Sequence, residues 1–184
     1  CSSICIMLSV MPMKVVAITA GQKLATGMDS FSLLAVPFFV LAGNIMNQGG
    51  IAKRLVNFAF LFVGKIPGSL SHVNVLSNMM FGSVSGSAVV AAAAVGKTLL
   101  PQIKSTGLNL PVASAINIAS CPTGMLIPPS NGLIVYSVVS GGTSIGALFL
   151  AGYVPGILMG LGCMIVGFIY FKLKPELAGN QTRV

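Results

Sequence analysis

The sequence predicts an all-α membrane protein with helices broken at membrane depth, the pattern of one half of an inverted-repeat transporter. Three observations predict it. Of 184 residues, 55% are hydrophobic and 7% charged, with a mean hydropathy of +0.96. A soluble domain carries about 25% charged residues. Charge also vanishes over long runs: 105–171 has none, and 66–96 has only the titratable His72. Finally, two apolar stretches are interrupted by polar, glycine- and proline-bearing breaks. Irregular backbone at membrane depth is tolerated only where it lines a cavity or is buried in protein, and paired breaks mark transporter binding sites.

Along the chain, 1–13 reads as a truncated scaffold helix, because the chain opens at Cys1 inside an apolar run. Its apolar part is shorter than the roughly 20 residues a span needs and lacks the charged start of a signal peptide. Residues 14–30 read as a connector carrying Lys14 and Lys23, with Asp29-Ser30 as a cap. Residues 31–48 are a transmembrane helix kinked at Pro37 and ended by Gly49-Gly50. In 51–64, Ile51, Leu55, Phe58 and Phe62 share one helical face while Lys53, Arg54 and Asn57 lie elsewhere. This is an amphipathic arm helix lying in the membrane interface.

Residues 70–103 form a hairpin of two apolar arms around the tip Gly82-Ser83-Val84-Ser85-Gly86-Ser87. Each arm reads as too short to cross, so the hairpin is expected to be re-entrant. Residues 110–140 are a broken helix, opened at Cys121-Pro122-Thr123-Gly124 and Pro128-Pro129-Ser130-Asn131. Residues 147–171 are an uncharged scaffold span, and 172–184 a tail with Lys172, Lys174 and Arg183. Cytoplasmic loops are enriched in Lys and Arg. That rule puts Lys53, Arg54, Lys65, Lys104, Lys172 and the tail inside and the uncharged turn at Gly141 outside, with only Lys14 and Lys23 falling outside, near Asp29.

The candidate site lies at the two breaks. The tip residues Gly82, Ser83, Ser85, Gly86 and Ser87 offer hydroxyls and free backbone groups. So do Ser120, Thr123, Gly124, Pro128, Pro129, Ser130 and Asn131 at the second break, with Asn117 beside it. A half-helix N-terminus favours an anion, and freed carbonyls can ligate a small cation. Sodium is expected through Ser85, Ser87 and a carbonyl near Gly124. Two adjacent prolines remove two backbone donors and hold the second helix open. The competing explanations are small-residue packing at Gly82/Gly86, a GxxxG pair, and a proline kink healed by neighbouring helices. The first accounts neither for the short arms nor for the three serines.

Other features carry less. The net charge of +8 comes from scattered basic residues, not the cluster that nucleic acid requires. Gly96-Lys97-Thr98 resembles the end of a phosphate-binding loop, but Ala91 stands where that motif needs glycine. The cysteines at 1, 5, 121 and 163 have no metal or redox spacing and read as packing residues. His72 reads as structural, and Asn44, Asn47 and Asn78 as bridges between helices. Gly156 and Gly160 form a second GxxxG for helix packing, in this chain or against a partner subunit. A channel would favour rings of charge or a repeated filter. An intramembrane enzyme would need a nucleophile with its base. Neither is visible.

These segments together resemble the large membrane subunit of tripartite ATP-independent periplasmic (TRAP) transporters. The resemblance is carried by SFSLLAVPFFVLAGNIMNQGGIAKRLVNFA (30–59), IPGSLSHVNVLSNMMFGSVSGSAVVAAAAVG (66–96) and MLIPPSNGLIVYSVVSGGTSIGALFLAGYVPGILMG (125–160). It implies an elevator-type secondary transporter of small organic anions, driven by sodium as coupling ion and using no other cofactor. It implies a bacterial inner-membrane location, a small membrane subunit and a periplasmic substrate-binding protein as partners, and a second half of the same subunit outside this stretch. The alternative is a channel-like or structural membrane subunit without its own substrate site. Ala91 stands where the family often has an acidic residue, and Cys121-Pro122-Thr123-Gly124-Met125-Leu126 where it often reads STIGPI.

Overall fold

The computed structural model describes residues 12–28, 31–64, 66 and 68–174. Every regular element among them is helical: α1 (Met13–Met28), α2 (Phe31–Gln48), α3 (Ile51–Val63), α4 (Ser69–Ser85), α5 (Ala88–Thr106), α6 (Leu110–Ser120), α7 (Thr123–Leu126), α8 (Asn131–Val139) and α9 (Ile145–Leu173). The Asp29-Ser30 cap, the start of the chain and nearly all of the basic tail lie outside the described residues.

Polar side chains mark the helix at the centre. α4 packs against α2, α3, α5, α6, α7 and α9. It buries Ser69, Ser71, His72, Asn74, Ser77, Asn78 and Ser85 together with Leu70, Val73, Val75 and Phe81. Many other bulky apolar residues face outward. Leu150, Val154, Leu158, Leu161, Ile165 and Ile169 are exposed along α9. An apolar exterior around an interior that mixes polar side chains with a hydrophobic cluster suits a lipid environment, where lipid tails are as apolar as leucine and burial is driven by packing and hydrogen bonds. α9 is long and apolar enough to cross a membrane, as is the bent pair of α6–α7 with α8 taken as one span.

Three elements differ from the sequence expectation. The expected connector contains helix α1, because 13–28 holds no proline and neither Lys14 nor Lys23 obstructs a helix. The hairpin arms are 17 and 19 residues, longer than their apolar parts, because the polar ends at Ser69, Ser71 and Lys104 are helical too. At about 1.5 Å rise per residue these lengths approach a bilayer core, so arm length does not separate a re-entrant hairpin from a double crossing. In α3 the face turned to the protein is Ala52, Val56, Ala59 and Val63, one position off the expected stripe. Phe58 and Phe62 point outward and stack edge-to-face at 5.0 Å. Small residues allow close helix approach, so the larger ones are left for the surroundings.

α9 packs inward through a glycine stripe. A Cβ at Gly156 would lie 2.7 Å from Ile127 Cγ1 and 3.3 Å from the Ile127 nitrogen. Added Cβ atoms at Gly152 and Gly160 would collide with the Leu126 carbonyl and the Met79 sulfur. The stripe therefore serves contacts within this chain. Replacing Gly156 by Val should destabilise the fold by about 1–3 kcal/mol through overpacking. Gly162→Val, where nothing lies within 4 Å, should leave the melting temperature in detergent nearly unchanged. Equal melting of the two variants would remove the stripe from the packing account.

Candidate functional site

The first break is the α4–α5 tip. Gly86 adopts a left-handed conformation (φ 64°) and its N–H donates to the Gly82 carbonyl at 2.8 Å, closing α4. Ser87 is extended, and its Oγ accepts from the Val90 N–H at 3.5 Å as the N-cap of α5. Ser85, almost fully buried, donates from Oγ to the Ser87 carbonyl at 3.3 Å. Ser83 turns back to donate to the Met80 carbonyl at 2.8 Å.

The second break has two steps. α6 ends at Ser120, and Cys121 and Pro122 form a turn into the short α7. Thr123 Oγ1 donates to the Ser120 carbonyl at 2.6 Å. The chain is then extended at Ile127 and reaches Ser130, whose Oγ accepts from the Leu133 N–H at 3.3 Å as the N-cap of α8. The two halves meet at a 50° bend. Pro128 and Pro129 have no N–H to give to the carbonyls of Gly124 and Met125, four residues earlier.

The fold brings the two breaks together through backbone. A Cβ at Gly82 would run into the Gly124 backbone, and one at Gly124 would lie 2.5 Å from the Gly82 Cα. Four residues on, the Asn131 N–H donates to the Gly86 carbonyl at 3.3 Å. A Cβ at Gly86 would lie 2.9 Å from the Pro129 carbonyl oxygen and 3.4 Å from Asn131 Oδ1. From the other side α2 closes on the tip, where a Cβ at Gly43 would be 3.0 Å from Ser85 Cβ.

An amide cluster ties α4 to α5 and α6 beneath this junction. Asn78 Nδ2 donates to Asn117 Oδ1 and to Ser120 Oγ, both at 2.8 Å, and to Asn74 Oδ1 at 3.1 Å. Asn117 Nδ2 donates to the Ala92 carbonyl at 3.0 Å. Asn78 Oδ1, Ser77 Oγ and Asn131 Oδ1 are buried and make no hydrogen bond. A buried acceptor without a donor is costly, and a hard cation takes neutral oxygens of this kind. No cluster of three His, Cys, Asp or Glu occurs among the described residues; the oxygens gathered here belong to carbonyls, amides and hydroxyls.

Gly82, Gly86, Gly124, Pro129 and Asn131 thus meet at one junction, with Ser85 beside it. Pro128 and Ser130 flank it in the same segment. Asn117 and Ser120 belong to the amide cluster with Asn78. Ser83 and Thr123 are occupied by their own helical turns, and Ser87 by its cap. Sequence reasoning missed Asn74, Ser77 and Gly43. The i, i+4 spacing of Asn74 and Asn78 on one helical face was the available signal.

Residues 1–183 match the family described as tripartite ATP-independent periplasmic transporter, DctM component. The chain belongs to this DctM family. It is 59% identical over 150 residues to an uncharacterized protein, YgiK, of Salmonella typhimurium, covering 82% of this chain and 34% of that one. It is 44% identical over 155 residues to the sialic acid TRAP transporter large permease protein SiaM of Vibrio cholerae, covering 84% and 36%. It is 46% identical over 145 residues to the 2,3-diketo-L-gulonate TRAP transporter large permease protein YiaN of Escherichia coli, covering 79% and 34%. The chain therefore spans about a third of the length of these DctM-type relatives. The family is one of transporters.

Asn78→Ala and Asn117→Ala should each lower stability by about 1–2 kcal/mol, within the range for interhelical hydrogen bonds in membranes. The double variant should cost less than the sum, because both remove one shared bond. A double-mutant cycle of unfolding in nanodiscs measures this, and strict additivity would dissolve the cluster as a unit.

Proposed function

We propose that this chain forms part of the permease subunit of a sodium-coupled TRAP system that carries a small organic anion across a bacterial inner membrane. The observation that carries this reading is the backbone-to-backbone meeting of two helix breaks at Gly82–Gly124 and Gly86–Asn131. Paired breaks give two kinds of ligand in one place. The N-termini of α5 and α8, capped by Ser87 and Ser130, favour a carboxylate. The Pro129 carbonyl and Asn131 Oδ1 favour a cation. Sodium bound there sits close enough to the helix N-termini for ion and anion occupancy to support each other. Ser85 and a Gly124 carbonyl complete the cation set, and Ser87 acts chiefly as a cap. The relatives named for sialic acid, 2,3-diketo-L-gulonate and C4-dicarboxylate agree with an anionic substrate class. The partners in this reading are a small membrane subunit and a periplasmic binding protein.

The motion follows from satisfaction of the backbone. Each unpaired group in hydrocarbon costs several kcal/mol, so two breaks that cover each other travel together, as an elevator block. The re-entrant character of the hairpin is supported by the polarity of α4, whose serines and asparagines avoid lipid only while packed inside. The close packing of Gly152, Gly156 and Gly160 on Leu126, Ile127 and Met79 favours adding α9 to the moving block, in place of its expected scaffold role. α2 then meets the block through a small-residue contact at Gly43 and is the better scaffold element.

Two measurements test this. In uptake assays with the complete transporter, Asn131→Ala and Ser85→Ala should each raise the half-saturating sodium concentration about tenfold. That corresponds to about 1.4 kcal/mol, and an unchanged sodium dependence in both variants would remove these oxygens from the ion site. Spin labels at the exposed positions Val84, Val135, Leu158 and Phe38 report the motion. The 84–135 and 84–158 distances should stay narrow across sodium and substrate conditions, while 84–38 shifts. If every distance stays fixed wherever uptake proceeds, the elevator fails and the channel-like or structural subunit becomes the better account.

A further inference from the structure

A second pocket lies away from the breaks, where the α2–α3 corner meets α5. It has a volume of about 450 Å³, and its lining includes Asn47, Lys53, Asn57, Lys97 and Gln102. We propose that it binds the phosphodiester headgroup of an anionic glycerophospholipid, one that also carries a hydroxyl, as phosphatidylglycerol does.

Four observations converge on that chemistry. Lys53 from α3 and Lys97 from α5 line one pocket with no carboxylate among its lining residues. The two acidic residues of the chain, Asp29 and Glu176, fall outside the described residues. The α3 N-terminus opens at the same place, since Gly50 and Ala52 line the pocket and the helix has no side-chain cap. Its first amides and its dipole favour an anion. Gln102 Oε1 is buried without a hydrogen-bond partner. An acceptor gains nothing from a phosphate oxygen and needs a donor, which a headgroup hydroxyl supplies. The fourth observation separates a lipid from a free anion. Phe38, Leu41 and Ile45 form an exposed apolar stripe along α2 that runs toward Gln48 at the pocket, three residues beyond Ile45, and Leu100 is exposed on α5. Acyl chains can follow the stripe while the headgroup sits between the lysines. Basic pockets between membrane helices are recognised sites for lipid headgroups.

The site is independent of the breaks, so it stands or falls apart from the transport reading. The complete transporter is reconstituted in phosphatidylcholine nanodiscs with and without phosphatidylglycerol, and the lipid retained after exchange into detergent is measured by native mass spectrometry. The wild type should retain phosphatidylglycerol and melt higher in its presence. Lys53→Ala and Lys97→Ala should each weaken retention about fivefold, and together about thirtyfold. Both lysines are exposed, so the variants should otherwise melt like the wild type in phosphatidylcholine alone. Lys104→Ala, on α5 but not lining the pocket, should retain lipid normally. The proposal is overturned if the double variant retains lipid as the wild type does, or if Lys104→Ala loses as much, which would mean diffuse surface charge. It is also overturned if inorganic phosphate or glycerol phosphate alone reproduces the melting shift, which would make this a site for a free anion.

Discussion

Gly82 and Gly124 meet without side chains between them, and the junction of the two breaks depends on that contact. Each glycine lies in a different broken segment, one on α4 and one on α7. Any Cβ at either position would push the segments apart. Separation would uncover the Gly86 carbonyl and the Asn131 amide, which now bond each other. In an apolar environment such groups cannot turn to water, so the contact protects several backbone dipoles at once.

The amide cluster serves the same end by other means. Asn78, Asn117 and Ser120 bind α4 to α6 a few residues below the junction, and the Asn117 amide reaches across to the Ala92 carbonyl of α5. Gly96 leaves room for that reach, since a Cβ there would lie 2.9 Å from Asn117 Nδ2. Side-chain bonds hold the straight parts of the helices while the glycine contacts hold the broken parts. The buried oxygens of Asn78, Ser77 and Asn131 remain open, so the same scaffold that satisfies most polar groups leaves a few of them without a partner.

The outer surface follows a different rule. Many large apolar side chains among the described residues of α2, α3 and α9 face outward, and glycine, alanine and valine make up most of the buried face of α3 and α9. Phe58 and Phe62 look like the burial face of α3 on a helical wheel, yet Ala52, Val56 and Ala59 take that place. In water the largest apolar residues win the interior. In lipid they gain nothing from it, and close packing by small residues decides.

What the sequence determined by itself was composition and punctuation. The absence of charge over 105–171, the glycines at the tip and the paired prolines of the second break announce a helical membrane protein with interrupted segments. Those are local properties, set by hydropathy, by missing amide donors and by positive-φ positions such as Gly86. The partnership of the two breaks was not local. Nothing in the spacing of Gly82 and Gly124 says that their backbones touch, or that Asn131 Oδ1 is left open while Ser87 is spent on a cap. The helical state of 13–28 was misread because its two lysines were taken for a break, though nothing in the segment obstructs a helix, and the first hairpin arm because Ser69 and Ser71 continue α4 where packing buries them. The neighbours of α9 were also decided by packing. A glycine stripe can serve any neighbour, and only the tertiary structure shows that Gly152, Gly156 and Gly160 receive Leu126, Ile127 and Met79.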